Sequence, residues 1–154
     1  MKYVCSIDGS LKETGIAIFT EKGKLLESFS IPTSPNDDTK IRLKQIYTKL
    51  EETRKKYDIS EVAIEESFVR FHNATRKLFM VRGILELMFY DCNLHVYSPR
   101  TIKKVVTGNA KAEKDEVANE IFKKYPKMKW NNSYDTTDAI ACGFTYFEDM
   151  KAEK

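Results

Sequence analysis

The chain has 154 residues, 42% of them hydrophobic and 32% charged, which suits one globular core and excludes a disordered or fibrous protein. Its formal net charge of +3 is too small to argue by itself for a polyanionic partner. No stretch is long and apolar enough to span a membrane. Cys5, Cys92 and Cys142 are odd in number and lack zinc-type spacing, so a reduced, cytoplasmic setting is expected.

Tyr3 to Ile7 is β-branched and aromatic enough to be a strand, and Asp8-Gly9-Ser10 ends it. Further strands are expected over Gly15 to Phe19 and Leu25 to Ile31, so that three sequential strands make an antiparallel meander. Asp8-Gly9 is a common turn dipeptide. It would equally place a carboxylate at the tip of a central strand, with Gly9 letting a phosphate approach the backbone closely. Pro32 to Asp38 reads as a loop ending in helix-capping residues. Leu43, Ile46, Tyr47 and Leu50 then follow helical spacing to about Lys56.

Glu61 to Glu65 is a short apolar strand that ends in acid. Strand alternation sends neighbours to opposite faces, so only one of Glu65 and Glu66 can join Asp8, and Glu65 is the candidate. The loop Ser67 to Asn73 carries exposed aromatics and a base. Phe68 there is three residues from a candidate acid and could stack on an unpaired base. The helix Asn73–Tyr90 is apolar on two sides: Ala74, Leu78, Val81, Leu85 and Met88 form one face, and Phe79, Met80, Gly83, Ile84 and Leu87 much of another. A chain this short cannot enclose such a helix, so the second face is expected to form a homodimer interface. Arg70, Arg76, Lys77 and Arg82 punctuate this region.

Leu94 to Tyr97 makes a fifth strand, with His95 as a satisfied interior or edge residue. Ser98-Pro99 opens a short helix with Pro at its first position. Lys103 and Lys104 lie on that helix, and the Thr107–Lys111 loop leads to a helix from Glu113 through Lys124. Lys103, Lys104, Lys111 and Lys114 thus bracket a loop between two helices, a plausible contact with a phosphate backbone. The last helix, Asp135 to about Met150, is expected to bury Ile140, Phe144 and Phe147. At its start Asp135 would cap the helix, and Asp138 lies one turn on, on the same face.

These elements describe a single domain over 1–154, an α/β fold with a mixed sheet of five strands flanked by helices. Asp8, Glu65, Asp135 and Asp138 can converge in it. Four carboxylates held together repel one another or take up protons unless a cation is present. Oxygen-only ligands favour Mg²⁺ or Mn²⁺ over zinc. Two such ions could activate water in phosphodiester hydrolysis, and a lysine could stabilise charge on the reacting phosphate.

The chain resembles the RuvC family of Holliday-junction resolvases, in the ribonuclease-H-like superfamily. The matching stretches are Ile7-Asp8-Gly-Ser10 with Thr14-Gly15, Ala63-Ile64-Glu65 with Phe68, and Arg82-Gly83. Ser98-Pro99 through Lys103, Val105 to Gly108 with Ala112-Glu-Lys114, and Asp135-Thr-Thr-Asp138-Ala139 complete the set in family order. The resemblance implies a ribonuclease-H-like fold and a homodimer that nicks opposing strands of a four-way junction. It implies Asp8, Glu65, Asp135 and Asp138 as catalytic metal ligands, with two Mg²⁺ ions per site, and Lys103 and Lys114 as active-site and DNA-contacting lysines. Phe68, Arg70, Arg76, Lys77, Lys104 and Lys111 complete the expected DNA surface. Two departures concern subunit packing and cleavage preference, and widen the expected partner to branched DNA, chiefly four-way junctions: Phe79-Met80-Val81 stands where the family has small residues, and Glu66-Ser67 follows the catalytic glutamate. A non-catalytic junction-binding protein, or a ribonuclease-H-like nuclease acting on RNA or other DNA forms, is the alternative. The Lys-, Asn- and Tyr-rich composition suits an A·T-rich bacterium or its phage.

Overall fold

Strand β1 (Tyr3–Asp8) is buried along nearly its whole length. A strand with such a sequence needs helices on both of its faces. The computed structural model, which describes residues 1–66, 72–129 and 133–153, supplies them. A five-stranded sheet is ordered β3-β2-β1-β4-β5, from β2 (Glu13–Thr20), β3 (Leu25–Pro32), β4 (Ile59–Glu65) and β5 (Asn93–Tyr97). The β1–β2 and β2–β3 pairs are antiparallel, and β1–β4 and β4–β5 are parallel. The mixed α/β architecture is therefore the expected one, with β1 in the centre.

Alternation along the strands sorts side chains into two cores. Cys5, Ile7, Ile16, Ile18, Val62 and Ile64 pack with Ile46 and Leu50 of α1 (Thr39–Lys56) and Val81 and Leu85 of α2 (His72–Met88). Val4, Ala17, Phe19 and Ala63 face the other way. They meet Ile102 and Val106 of α3 (Pro99–Thr107), Val117 and Ile121 of α4 (Lys114–Lys124), and Ala139 and Ile140 of α5 (Tyr134–Ala152). The second core carries the functional interest, because Ser6 and Asp8 share a face with Val4, and Glu65 shares one with Ala63.

Local chemistry sets the helix ends. Ser98 caps α3 by accepting from the Thr101 amide at 3.2 Å, and Pro99 follows at the first helical position. Gly108 ends α3 in the left-handed region (φ 85°) and donates its N–H to the Lys104 carbonyl at 2.8 Å. Helix α5 starts one residue earlier than the acid spacing suggests. Ser133, not Asp135, holds the cap position, and its Oγ accepts from the Asp135 amide at 3.2 Å. Ile140 is buried as expected, whereas Phe144 and Phe147 are only half-buried against the same core. Gly9 also has a packing role. A Cβ there would point at Leu85 and Val81 of α2, at 3.2 and 3.4 Å, so the missing side chain lets α2 close on the strand end.

Candidate active site

The parallel pairing of β1 with β4 sets Ile7 opposite Ile64. The next residue on each strand is an acid, and alternation turns both Asp8 and Glu65 towards the α3–α5 layer. Helix α5 brings the third acid, Asp138, to the same point. A cavity of about 250 Å³ results, lined by the carboxylates of Asp8, Glu65 and Asp138 and by Lys103 and Lys114. Pro99, Ile102 and Val117 supply its apolar wall. The three acids come from β1, β4 and α5, so the cluster exists only in the folded chain.

Hydrogen bonds join the Asp8 carboxyl to those of Glu65 and Asp138. Two carboxylates in such contact must hold a proton or a cation between them. Burial, followed by the negative charges of Glu65 and Asp138, pushes the Asp8 carboxyl well above the usual carboxylate range. Burial and the Glu65 charge likewise raise Asp138 to about 7, against the pull of Lys114. Glu65 is raised by burial, while its bond to Asp8 and the charges of Lys114 and Lys103 draw it back. Lys114 Nζ lies 3.8 Å from Asp138 Oδ2 and 5.8 Å from the centre of the Tyr134 ring. The Tyr134 hydroxyl in turn donates to Asp115 on the first turn of α4.

Asp135 stands beside this cavity without lining it. Its Oδ2 accepts from Ser133 Oγ at 2.9 Å, and its carboxyl also meets that of Glu13 at the start of β2. Glu13 in turn accepts from Ser30 Oγ at 2.7 Å. Burial raises the Asp135 carboxyl, with the Ser133 bond opposing and Glu13 adding to the rise. Three of the four acids thus line the cavity, and the fourth, Asp135, meets Glu13 on β2 while its charge still bears on Asp8, Glu65 and Asp138.

Lys104 and Lys111 are exposed outside the cavity. Arg76 and Lys77 are exposed on the first turns of α2. Phe68 and Arg70 lie outside the described residues. Glu66 lines a separate small groove with Gly9 and α2 residues, as strand alternation requires. Sequence reasoning missed Glu13, Ser133 and the apolar wall. Ser133 carried a usable signal, a serine two residues ahead of an acid where an apolar-periodic run begins. Glu13 carried none, because its contact with Asp135 spans 122 positions of chain.

Among the described residues, no three His, Cys, Asp or Glu side chains already stand in a ligating arrangement. The donors nevertheless fit a hard cation: oxygen only, buried, and crowded against one another.

A family model described as crossover junction endodeoxyribonuclease RuvC matches residues 4–146. The chain belongs to the RuvC family. The crossover junction endodeoxyribonuclease RuvC of Rickettsia bellii is 34% identical, over 92% of this chain and 94% of that relative. The RuvC protein of Campylobacter lari is 32% identical, over 98% and 99%. The fold is shared with Thermus thermophilus RuvC, solved in complex with a Holliday junction substrate, with a TM-score of 0.88 at 23% identity over 98% of this chain and 96% of that one. The RuvC match takes in Asp8, Glu65, Lys103, Lys114, Asp135 and Asp138, and it runs through both cores.

Proposed function

We propose that this chain is a metal-dependent, structure-selective endodeoxyribonuclease that resolves Holliday junctions by paired nicks, working as a homodimer of one nuclease domain per chain. One observation carries the reading. In a chain of the RuvC family, Asp8, Glu65 and Asp138 meet in one cavity beside Lys103 and Lys114. The curated relatives bear the name of that activity.

Asp8, Glu65 and Asp138 would hold the cations, with Asp135 joining them by turning from Glu13. Two Mg²⁺ ions, or Mn²⁺ in their place, would supply Lewis acidity at the attacking water and at the leaving oxygen. The residues of the chain do the rest. The carboxylates orient the water, and Lys103 and Lys114 offset the charge that builds on the phosphate. The apolar wall of Pro99, Ile102 and Val117 keeps bulk water from the opposite side. Lys104, Lys111, Arg76, Lys77, Phe68 and Arg70 are proposed as DNA contacts around this centre.

The second subunit is proposed to dock on the outer face of α2. Phe79 and Leu87 are 69% and 64% exposed there, with Met80 and, just beyond the helix, Tyr90 also in solvent. Apolar side chains of that size in a row on one helix face suit a covered surface.

Cleavage of a labelled four-way junction, beside duplex, Y-fork and RNA–DNA hybrid, with Mg²⁺ and with EDTA, tests the reading. Symmetric nicks on the junction with Mg²⁺ alone are expected. Binding without cutting would make this a junction-recognition protein, and cutting of the hybrid alone would move it elsewhere in the superfamily.

A further inference from the structure

The reaction proposed above needs the Asp135–Asp138 turn of α5 to sit at a fixed distance from Asp8, and two residues outside the acid set lie where that turn meets the sheet. The first is Gly15. It is the direct cross-strand partner of Asp8. A Cβ at Gly15 would fall well inside the van der Waals shell of the Asp135 carbonyl oxygen and 3.3 Å from Ala139 Cβ. The obstacle is helix backbone, so it cannot rotate aside, and any side chain at Gly15 forces the first turn of α5 off the sheet by an ångström or more. Gly15 is not at positive φ, so space alone is at stake.

The second is Ser6, two residues before Asp8 on the same face of β1. Its hydroxyl is fully buried and donates to the Ala139 carbonyl at 2.6 Å. Ala139 follows Asp138 directly. Helix α5 is thus pinned to β1 one pleat below Asp8, while Gly15 lets it close onto β2 beside Asp8. Gly143, one turn further along α5, leaves room chiefly for the Phe19 ring and then for Ser6: a Cβ there would strike the ring first and lie 2.8 Å from Ser6 Oγ.

We propose that Ser6 and Gly15 are positioning residues that set the gap between Asp8 and Asp138, and hence the capacity of the site to bind divalent cations. This rests on the metal-dependent reading of the site. Residues one step behind a metal ligand typically change metal affinity or activity by about 10- to 100-fold when altered, and displacements near 1 Å can cost about 100-fold in rate.

The test uses Ser6→Ala, Gly15→Ala and Ser6→Cys, the last keeping a weak donor of similar shape. For each, Mg²⁺ is titrated while the melting temperature and the single-turnover cleavage rate are followed, and junction binding is measured in EDTA. For Gly15→Ala the expected result is unchanged junction binding, a half-saturating Mg²⁺ concentration raised about tenfold by both readouts, and a rate lowered by about 100-fold. Ser6→Ala is expected to shift the Mg²⁺ dependence in the same direction but less, with Ser6→Cys between it and wild type. Should Gly15→Ala not fold, the Ser6 pair decides the matter. Variants that melt at lower temperature yet keep the wild-type Mg²⁺ dependence would make both residues mere packing and overturn the proposal. A wild-type protein whose melting does not respond to Mg²⁺ would instead overturn the metal-dependent reading, and this inference with it.

Discussion

At the scale of single residues, the dominant fact is that Asp138 is a carboxyl held at a cost. Its side chain is 20% exposed, and burial with the Glu65 charge moves its pKa from the usual 3.8 to about 7. A carboxyl with a raised folded-state pKa binds its proton more tightly in the fold than in the unfolded chain. It therefore favours folding below about pH 4 and opposes it progressively as the pH rises towards 7, with the full cost reached above. Asp138→Asn removes this dependence. In EDTA, the variant is expected to match wild type at pH 4 and to exceed it at pH 8 by about 2 kcal/mol, half of the simple linkage value because Asp8 shares the proton. Urea melts at the two pH values measure the difference. Added Mg²⁺ should stabilise wild type at pH 8 and leave the variant nearly unmoved, while junction cleavage by the variant is lost. A variant less stable than wild type at pH 8 would show that the Asp138 hydrogen bonds outweigh its desolvation.

At the scale of elements, α2 and α5 show how far pattern reasoning reaches. The two apolar faces of α2 were legible from the 3.6-residue period, with Val81 and Leu85 1% exposed and Phe79 and Leu87 more than half, except that Ile84, expected on the outer face, packs against the core. Strand alternation made it legible that only one of Glu65 and Glu66 can face Asp8, and the place of Glu65 directly after Ala63-Ile64 made it the candidate. The orientation of Asp135 was not legible, since spacing fixes the face of a helix but not which long-range neighbour its carboxyl meets. Glu13 and Ser133 decide that. The grip of Gly15 and Ser6 on α5 was hidden for the same reason, being a property of strand and helix together. The exposed face of α2 gives its own test. Phe79→Glu with Leu87→Glu replaces two solvent-facing side chains, and such surface changes seldom alter stability by more than about 0.5 kcal/mol each. The double variant is expected to sediment as a monomer where wild type is a dimer. It should also turn paired junction cleavage into single, uncoordinated nicks. A wild-type protein that is itself monomeric at micromolar concentration would remove the role given to this face.

Over the whole molecule, the net charge of +3 conceals an uneven arrangement. Acids crowd the cavity at the carboxyl ends of β1 and β4, while Lys103, Lys104, Lys111 and Lys114 stand on α3, α4 and the turn between them. On the proposed reading, Lys104 and Lys111 meet an approaching phosphate backbone outside the cavity, whereas Lys103 and Lys114, which line it, serve both binding and chemistry. Lys111 separates the two most cleanly. Its side chain is exposed and has no ion pair among the described residues, and the turn is held by its backbone N–H donating to Asn109 Oδ1 at 3.0 Å, a bond the side chain does not share. Lys111→Ala should therefore leave the fold and the metal response intact. Each phosphate neutralised releases condensed counterions, so losing one contact is expected to reduce the slope of log Kobs against log salt concentration by about 1. Junction affinity in EDTA should fall, most at low salt, while the single-turnover rate with saturating protein and Mg²⁺ stays at the wild-type value. Lys114→Ala is expected instead to lower that rate, because on the proposed reading its ammonium, 3.8 Å from Asp138 at the edge of the cavity, offsets charge on the phosphate. Equal slopes for wild type and Lys111→Ala would place the DNA path away from the α3–α4 turn and leave the lysines lining the cavity as its entry.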